Sequence, residues 1–571
     1  MRIRPGHGVG ECSGSGSAID GHSHRPTCTK LTPLRVSERM KYLSTRGGNE
    51  RLTFEEAVLQ GLAPNGGLYV PAEMPTLPDD WQTAWASLSF VELSFQIVSL
   101  FVPTTAEEGG IPPDDLRELI TKSYATFRHK DVTPLRRVSE HEWCLELWHG
   151  PTFAFKDVAL QLLGNLFEYF LARRNATASN ATRADLAPHT LTVLGATSGD
   201  TGSAAIAGLR SKENIHIFIL HPRGRVSPIQ EAQMTTVLDD NVHNLAVDGT
   251  FDDCQDIVKA LFSDKAFNDQ HHLGAINSIN WARILSQIVY YFAAFFALRR
   301  EQPQIDASSV QVVVPTGNFG DILAGYYAKR LGVPMSKLVV ATNENDILQR
   351  FWATGRYEKE SASGEVRATL SPAMDILVSS NFERLLWYLA HESDTVADDK
   401  EEAAGQQVTQ WMHELKTRGS FAVSDAQWEL AKRDFLAERV SNDETRSTIR
   451  RYFRTKEEPG SYLVDPHTAV GFEAANRRAN GHAVPQIILS TAHPAKFSEA
   501  VISSIAADSN EGEAARYFDT HVLPKEMHGL LDKERRVVDV NVAPEAGSNK
   551  LQGLIASTKA IIERDGFSSR M

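Results

Sequence analysis

A single lysine stands among aromatic and small residues in the stretch 147–157, LWHGPTFAFKD, at the start of an apolar helical pattern. Lysine is rarely buried, and burial favours its neutral amine, which is a nucleophile. A Schiff base with a carbonyl cofactor requires such an amine. Taken alone, Lys156 is better explained as the first turn of a helix whose side chain reaches solvent. The other motifs of the chain therefore decide between the two interpretations.

Two glycine-rich turns each follow an apolar strand pattern and precede a helical one: residues 195–202, GATSGDTG, and 315–321, PTGNFGD. Glycine lets the backbone approach a ligand closely, and the free N–H groups of a helix N-terminus favour an anion. The first turn lacks the Walker, dinucleotide-binding and nucleophile-elbow spacings, and a purely structural turn is the alternative for it. Two such turns indicate either one ligand with two anionic ends or a cofactor and a substrate that each carry an anion.

Two further motifs carry polar side chains. In residues 277–283, NSINWAR, the arginine falls about one and a half helical turns after Ser278, so both can face one cavity. Arginine binds phosphate or carboxylate well, although a surface arginine on a helix is the alternative.

In residues 490–496, STAHPAK, Thr491 can donate a hydrogen bond to a ring nitrogen. His493 and Lys496 are either loop charges or substrate contacts.

Alternating strand and helix patterns begin near residue 143 and predict parallel sheets covered by helices on both faces. The motifs follow predicted strands, and ligands of such sheets bind at the carboxyl ends of the strands. Residues 172–190 are interpreted as a polar loop and residues 407–455 as helical. The predicted strands cover residues 143–147, 191–194, 215–220, 242–247, 310–314, 338–341 and 486–489.

Composition narrows the class of protein. The 571 residues, 42% hydrophobic and 23% charged, allow roughly two to four domains. A net charge of -13 disfavours binding to nucleic acid or to anionic membranes. The four cysteines show no metal-binding spacing and indicate a reducing compartment. The most apolar run, 284–298, is too short for a membrane span and predicts a buried helix.

The four motifs together resemble those of the threonine synthases, and the similarity is closest to the fungal and bacterial type. It runs from about residue 40 to the C-terminus and includes residues 53–57, TFEEA, and 66–71, GGLYVP. The resemblance implies an α/β protein of fold type II of the pyridoxal-phosphate enzymes, like the tryptophan synthase β subunit. Parallel sheets flanked by helices are then expected, with an N-terminal α+β region and insertions.

Five regions follow from the patterns and the resemblance. Residues 1–39 contain few large apolar side chains and predict a disordered tail or an over-extended start, with a targeting segment less favoured. Residues 40–135 form the N-terminal region typical of the family, and residues 136–345 the cofactor-binding α/β core. Residues 346–480 are predicted to be a largely helical insertion region. Residues 481–571 return to the core with the Thr491 motif and end in helices.

The resemblance also implies a role for each motif, with pyridoxal 5'-phosphate as the cofactor and no metal. Lys156 is implied to be the catalytic Schiff-base lysine. Thr491 is implied to meet the pyridine nitrogen, and Asp200, where relatives often carry asparagine, to border the ring hydroxyl. The implied contacts of the cofactor phosphate are Gly317, Asn318, Phe319, Gly320 and Asp321. The implied substrate contacts are Thr197, Ser198, Gly199 and Thr201 for the carboxylate and Asn277, Ser278 and Arg283 for the phosphate.

The implied reaction converts O-phospho-L-homoserine and water to L-threonine and phosphate by γ-elimination and β-addition, the last step of threonine biosynthesis, in the cytoplasm. One alternative is a phospho-lyase on the same fold that releases 2-oxobutyrate from phosphohomoserine. Another is a non-catalytic protein that binds pyridoxal phosphate. The only partner implied is the small-molecule substrate, without nucleic acid, membrane or an obligate protein partner.

Overall fold

The computed structural model describes residues 40–180, 188–360, 366–393, 398–456, 460–506, 510–542 and 549–566. The predicted N-terminal tail, residues 1–39, lies outside the described residues. The strands in chain order are β1 (Tyr42–Ser44), β2 (Tyr69–Pro71), β3 (Leu135–Arg137), β4 (Glu142–Glu146), β5 (Leu191–Ala196), β6 (Ile215–Pro222), β7 (Val242–Val247), β8 (Leu273–Ala275), β9 (Gln311–Pro315), β10 (Lys337–Thr342), β11 (Arg356–Glu358), β12 (Ser420–Ala422), β13 (Phe435–Arg439), β14 (Gln486–Ser490) and β15 (Val538–Val540).

Helices make up most of the remaining regular structure. In chain order they are α1 (Phe54–Gln60), α2 (Trp81–Ala84), α3 (Phe90–Ser99), α4 (Pro113–Tyr124), α5 (Lys156–Asn180), α6 (Asp200–Leu209), α7 (Pro228–Thr235), α8 (Phe251–Ser263), α9 (Lys265–His271), α10 (Trp281–Glu301), α11 (Gly320–Leu331), α12 (Ile347–Thr354), α13 (Phe382–Ser393), α14 (Lys400–Arg418), α15 (Asp425–Asp434), α16 (Asn442–Arg454), α17 (Pro466–Ala479), α18 (Ser498–Ile505), α19 (Glu511–Tyr517) and α20 (Lys550–Asp565).

Two mainly parallel sheets carry the fold. The first has the order β13-β10-β9-β14-β4-β3 and is parallel except for the edge strand β3, which pairs antiparallel with β4. The second has the order β15-β7-β6-β5-β8 and is parallel throughout. Their inner strands are almost entirely buried, as expected where helices cover both faces, whereas the edge strands β3, β13 and β15 are partly exposed. The expected α/β class with parallel sheets flanked by helices is confirmed.

Each sheet has its own apolar cluster. In the six-stranded sheet, Val313 and Val339 pack with Phe472 of α17. In the five-stranded sheet, Phe218 packs with Cys254 of α8, and Leu554 of α20 joins the same cluster. Because the helices fix both sheets on both faces, the turns at the carboxyl ends of the strands are held in place.

The helix α10 runs through the core next to α3, α5 and α11. It is long and apolar enough to cross a membrane, but 89% of its most apolar window is buried inside the protein. The expectation that this run is too short for a span is therefore wrong, and the expectation of a buried helix is confirmed.

Two local interpretations also need correction. Residues 172–190 are not a loop throughout, because α5 continues to Asn180. Residues 407–455 are not helical throughout, since they contain β12 and β13, and β13 adds a parallel edge strand to the six-stranded sheet beside β10. The sequence of β13, FLAER, is short and half polar, so its periodicity does not distinguish it from the helices on either side. The region boundaries at 136, 346 and 481 stay predictions.

Candidate active site

A cavity of about 460 Å³ lies where the predicted motifs meet. Lys156, Arg283 and Thr491 all line it, although they come from different segments of the chain. The other predicted residues that line it are Thr197, Ser198, Asp200, Thr201, Asn277, Ser278, Gly317, Asn318, Phe319, Gly320 and Asp321. Gly199 does not line the cavity. Its φ of +142° and the 2.5 Å between an added Cβ and the Gln230 side chain give it a structural role in the turn.

Lys156 is the first residue of α5 and is only 9% exposed. The preceding residue, Phe155, donates its backbone N–H to the carbonyl of Thr491 at 2.8 Å, which places the lysine beside the strand end of β14. Burial lowers the pKa of Lys156; Asp200 opposes the shift, while Lys496 and Arg283 add to it. The lysine is therefore buried at the cavity wall, where burial makes its ammonium easier to deprotonate than that of an exposed lysine.

A buried carboxylate fixes the turn before Lys156. Asp157 accepts hydrogen bonds from the backbone N–H of Thr152 at 2.8 Å and from its hydroxyl at 2.7 Å. An added Cβ on Gly150 would meet Asp157 Cβ at 2.4 Å, so the turn can close only with glycine there. Gly150 and Asp157 of the 147–157 stretch therefore both stabilise the turn that positions Lys156.

The GATSGDTG turn is held together by Thr197. Its Oγ1 accepts from the N–H groups of Gly199 at 3.0 Å and Gly202 at 2.8 Å. Thr197 also lines the cavity, and its hydroxyl keeps one proton to donate. The turn thus presents hydroxyl groups at the N-terminus of α6, which suits a carboxylate.

Asp200 has partners that the sequence did not reveal. Its Oδ1 lies 2.8 Å from Lys496 Nζ and accepts from Gln230 Nε2 at 2.9 Å, and its Oδ2 lies 3.8 Å from Lys156 Nζ. Burial opposes ionisation of Asp200, but the charges of Lys496 and Lys156 outweigh it and hold the pKa of the carboxyl well below its usual range. Lys496 is accordingly a buried ion-pair partner, and not the loop charge that was one of its two interpretations.

The PTGNFGD turn is braced by a segment from the predicted insertion region. Ser379 donates its hydroxyl to the Gly317 carbonyl at 2.7 Å, and Asn381 donates both its backbone N–H and its side-chain amide to the Asn318 carbonyl at 3.0 Å. Phe319 has a φ of +64° and starts α11, so the N–H groups of that helix point into the turn. The sequence carries no signal for these contacts, because the two segments are far apart in the chain.

Gly317→Ala is expected to weaken binding of a phosphate group at this turn by about tenfold or more, because the new Cβ would meet the Ala373 carbonyl oxygen at 2.6 Å and displace the turn. Equilibrium titration of the cofactor-free protein with pyridoxal phosphate measures the change. Gly320→Ala is the control for thermal stability, since its Cβ would meet only ordinary contacts at 3.4 Å or more. Unchanged affinity and stability in Gly317→Ala would contradict the steric argument.

Asp321 turns its side chain away from the predicted phosphate contact. Its Oδ1 accepts from the hydroxyls of Tyr290 at 2.5 Å and Tyr291 at 3.0 Å. Burial raises the pKa of Asp321 to about 6, although the two tyrosine hydrogen bonds oppose the shift. Any contact of Asp321 with an anion therefore falls to its backbone N–H, while the side chain anchors α11 to α10.

Asp321→Asn is expected to stabilise the cofactor-free protein more at pH 8 than at pH 4.5. The folded pKa of about 6 lies above the ordinary pKa of 3.8 for an aspartate, so the stabilisation from protonated Asp321 is lost as the pH rises through about 4 to 6. This shift corresponds to about 3 kcal/mol. Denaturant unfolding at the two pH values measures it, with the exposed Asp240→Asn as control. An equal effect at both pH values would contradict the assignment.

Arg283 is a buried cation without a carboxylate partner in the described part of the chain. It is 3% exposed, its guanidinium donates to the Ile276 carbonyl at 3.0 Å, and its Nε has no hydrogen-bond partner among the described residues. Burial lowers its pKa to about 10, which leaves it charged at neutral pH. A buried guanidinium at a cavity wall that makes few hydrogen bonds within the protein is suited to binding an anion that enters the cavity.

Ser380 links Ser278 to Asn318, two residues predicted to contact phosphate groups. The sequence analysis did not identify Ser380 as a residue of the site. Its hydroxyl lies 3.4 Å from Ser278 Oγ and donates to Asn318 Oδ1 at 3.2 Å. His467 also lines the cavity; its Nδ1 lies 2.8 Å from Asp465 Oδ1 and its Nε2 accepts from the Ala373 backbone N–H at 3.2 Å. Both residues become recognisable only from the tertiary contacts.

Comparisons with known proteins agree with this geometry. Residues 127–490 match the family model described as pyridoxal-phosphate dependent enzyme, residues 41–124 that of the threonine synthase N terminus, and residues 468–550 that of the threonine synthase C-terminal region. The threonine synthase of Schizosaccharomyces pombe is 53% identical over 513 residues, which cover 88% of this chain and 96% of that protein. The chain belongs to the threonine synthase family. Threonine synthase activity and dependence on pyridoxal phosphate follow from this membership.

Other threonine synthases extend the likeness to bacteria and to solved structures. The protein of Pseudomonas aeruginosa is 44% identical over 87% of this chain and 95% of its own length. The crystal structure of the yeast enzyme has a TM-score of 0.82 at 48% identity, and covers 93% of this chain and 99% of that one. The pyridoxal-phosphate-bound structure from Brucella melitensis has a TM-score of 0.76 at 39% identity, with coverage of 93% and 100%.

The residues of the cavity fit pyridoxal phosphate. Lys156 would supply a buried amine for the aldehyde, and the turn at Gly317, which an added Cβ would obstruct, would supply backbone donors for the phosphate. Thr491 supplies a hydroxyl within the same cavity. Arg283 lines the same cavity as a buried guanidinium whose Nε has no hydrogen-bond partner among the described residues.

Proposed function

We propose that this enzyme takes O-phospho-L-homoserine and water as substrates and releases L-threonine and phosphate, as the last step of threonine biosynthesis. The observation that carries the proposal is the second anion site. The Gly317 turn and the group formed by Asn277, Ser278 and Arg283 line one cavity, so a substrate phosphate can bind separately from that of the cofactor. A substrate without a phosphate would leave the buried Arg283 without a counter-charge.

Lys156 carries the proton transfers in this proposal. Pyridoxal phosphate, when bound, would supply an electron sink for the negative charge that develops on the substrate's Cα. Lys156, whose pKa burial lowers, removes the proton from Cα and then moves the remaining protons: one leaves Cβ as phosphate departs from Cγ, one is added to Cγ to form the methyl group, and Cα is protonated again. Its position at the start of α5, fixed by the turn that Asp157 closes, keeps the amine at the cavity wall.

The other side chains hold the substrate and the ring. The turn with Thr197, Ser198 and Thr201 donates to the substrate carboxylate, and Arg283 with Ser278 holds the phosphate that leaves from Cγ. Water then adds at Cβ. Thr491 presents a hydroxyl in place of a carboxylate, which leaves a facing pyridine nitrogen without a proton and weakens side reactions such as transamination.

Product analysis tests the proposal against the phospho-lyase that releases 2-oxobutyrate. The purified enzyme with bound pyridoxal phosphate is supplied with phosphohomoserine in water labelled with ¹⁸O. We expect equal amounts of phosphate and threonine, with the label in the threonine hydroxyl. Phosphate together with 2-oxobutyrate and no threonine would refute the synthase. Absence of both products would favour a non-catalytic protein, which the intact Lys156 argues against.

We also propose a cytoplasmic location. Two observations support it: the acidic chain contains only four cysteines, and the two in the described residues, Cys144 and Cys254, are free and buried. Fractionation of cells that express the full chain tests this location. Recovery of the protein with a membrane or organelle fraction would refute it.

A further inference from the structure

A second buried lysine shares a carboxylate with the reactive one. Lys496 is 0% exposed, and its Nζ lies 2.8 Å from Asp200 Oδ1 and donates to the Thr152 carbonyl at 2.8 Å. Lys156 Nζ is farther from the same carboxylate, at 3.8 Å from Oδ2. Asp200 is therefore bound closely by Lys496 and only loosely by Lys156.

This asymmetry affects the protonation of Lys156. A buried carboxylate needs a cation nearby, and without Lys496 the nearest cation to Asp200 would be Lys156 itself. Lys156 would then be held as an ammonium ion, which is neither a nucleophile nor a base. Arg283 and Asp157 also act on the charge of Lys156, His467 acts on Asp200, and Lys156 in turn acts on Asp321.

We propose that Lys496 is a positioning residue of this enzyme: its ammonium is the permanent counter-ion of Asp200, and it thereby releases Lys156 from that carboxylate to react as a neutral amine. The inference deepens the function proposed above and rests on Lys156 being the reactive lysine. Lys496 reaches the chemistry only through Asp200 and through the Thr152 carbonyl, which belongs to the turn that supports Lys156.

The test measures the protonation of Lys156 directly in the full-length protein from which the cofactor has been removed. Brief treatment with cyanate between pH 6 and pH 10, followed by peptide mass spectrometry, gives the rate at which the Lys156 amine is carbamylated. We expect Lys496→Met to move the midpoint of this profile upward by about one pH unit or more. At pH 8 the labelling of Lys156 should then be about tenfold slower than in the wild type.

Two variants separate charge from packing. Lys496→Arg keeps the positive charge and should retain the wild-type profile. Gln230→Leu removes a neutral hydrogen bond to the same Asp200 oxygen and should also leave the midpoint in place. An unchanged midpoint in Lys496→Met, or an equal shift in Gln230→Leu, would overturn the proposal.

If Lys496→Met fails to fold, Asp200→Asn provides the second measurement. Removal of the carboxylate charge leaves Lys156 near the ammonium of Lys496, which then has no counter-ion in Asp200, while Arg283 and Asp157 stay as they are; the midpoint should therefore fall, and an unchanged midpoint would overturn the proposal. The labelling does not use the cofactor. A failure here is therefore distinguishable from a failure of the proposed function, which product analysis of the loaded enzyme reports.

Discussion

Lys156→Ala is expected to lower kcat by at least about 10³-fold and to abolish the visible absorbance of lysine-bound pyridoxal phosphate. The variant loses both the amine that binds the cofactor aldehyde and the base that moves the proton at Cα. Lys156 is the cavity lysine buried beside Asp200, so no other lysine described at the cavity wall offers the same environment. Steady-state kinetics and the absorbance spectrum of the purified variant measure both effects.

Lys259 offers a matched control because it lines the same cavity. Its side chain is 68% exposed and pairs with Asp256 at 2.9 Å, so Lys259→Ala should keep the absorbance band and most of kcat. Addition of a small primary amine such as methylamine should restore part of the activity of Lys156→Ala, since the cavity left by the side chain admits it. A visible band that survives Lys156→Ala would refute the role of this lysine.

Arg283→Ala is expected to raise KM for phosphohomoserine by about 10²-fold or more while uptake of pyridoxal phosphate stays intact. The guanidinium is the buried cation that faces the substrate phosphate in the proposed function, and loss of one charged partner of a buried pair costs about 2–5 kcal/mol. The cofactor phosphate binds at the Gly317 turn instead, so its affinity should not depend on Arg283. Kinetics and a titration with pyridoxal phosphate separate the two anion sites.

Arg384 is the control for effects on folding alone. It is also buried, but its donors are used by the carbonyls of Tyr69 and Ile279 and by Asn381. Arg384→Ala should therefore lower thermal stability, whereas Arg283→Ala should change mainly KM. Loss of bound cofactor from Arg283→Ala would contradict the proposed division between the two sites.

The sheet strands inside the core could be predicted because their sequences are short, mainly apolar runs bounded by polar or glycine-rich segments. Residues 215–220 and 242–247, for example, were predicted as strands and lie within β6 and β7. The edge strands lack such an apolar run. The strands β8 and β13 were not predicted. Each is short, and it is recognised as a strand only from its pairing, β8 with β5 and β13 with β10.

The sequence by itself determined which segments form the site. The motifs at Lys156, 195–202, 317–321 and Thr491 contain the residue types that bind an aldehyde and anions. Each follows the carboxyl end of a parallel strand, where ligands of such sheets bind, although β5 belongs to the five-stranded sheet and β4, β9 and β14 to the six-stranded one. Such information is local, so a linear pattern of residue types is sufficient to reveal it.

Only the tertiary structure decided how the charges of the site are paired. Lys496 could have been a loop charge or a substrate contact, and the fold makes it the close partner of Asp200. Asp321 was expected at the cofactor phosphate, and its side chain instead accepts from Tyr290 and Tyr291. The physical reason is that a buried charge is stabilised by whichever groups the packing places within a few ångströms, and these partners come from segments far apart in the chain.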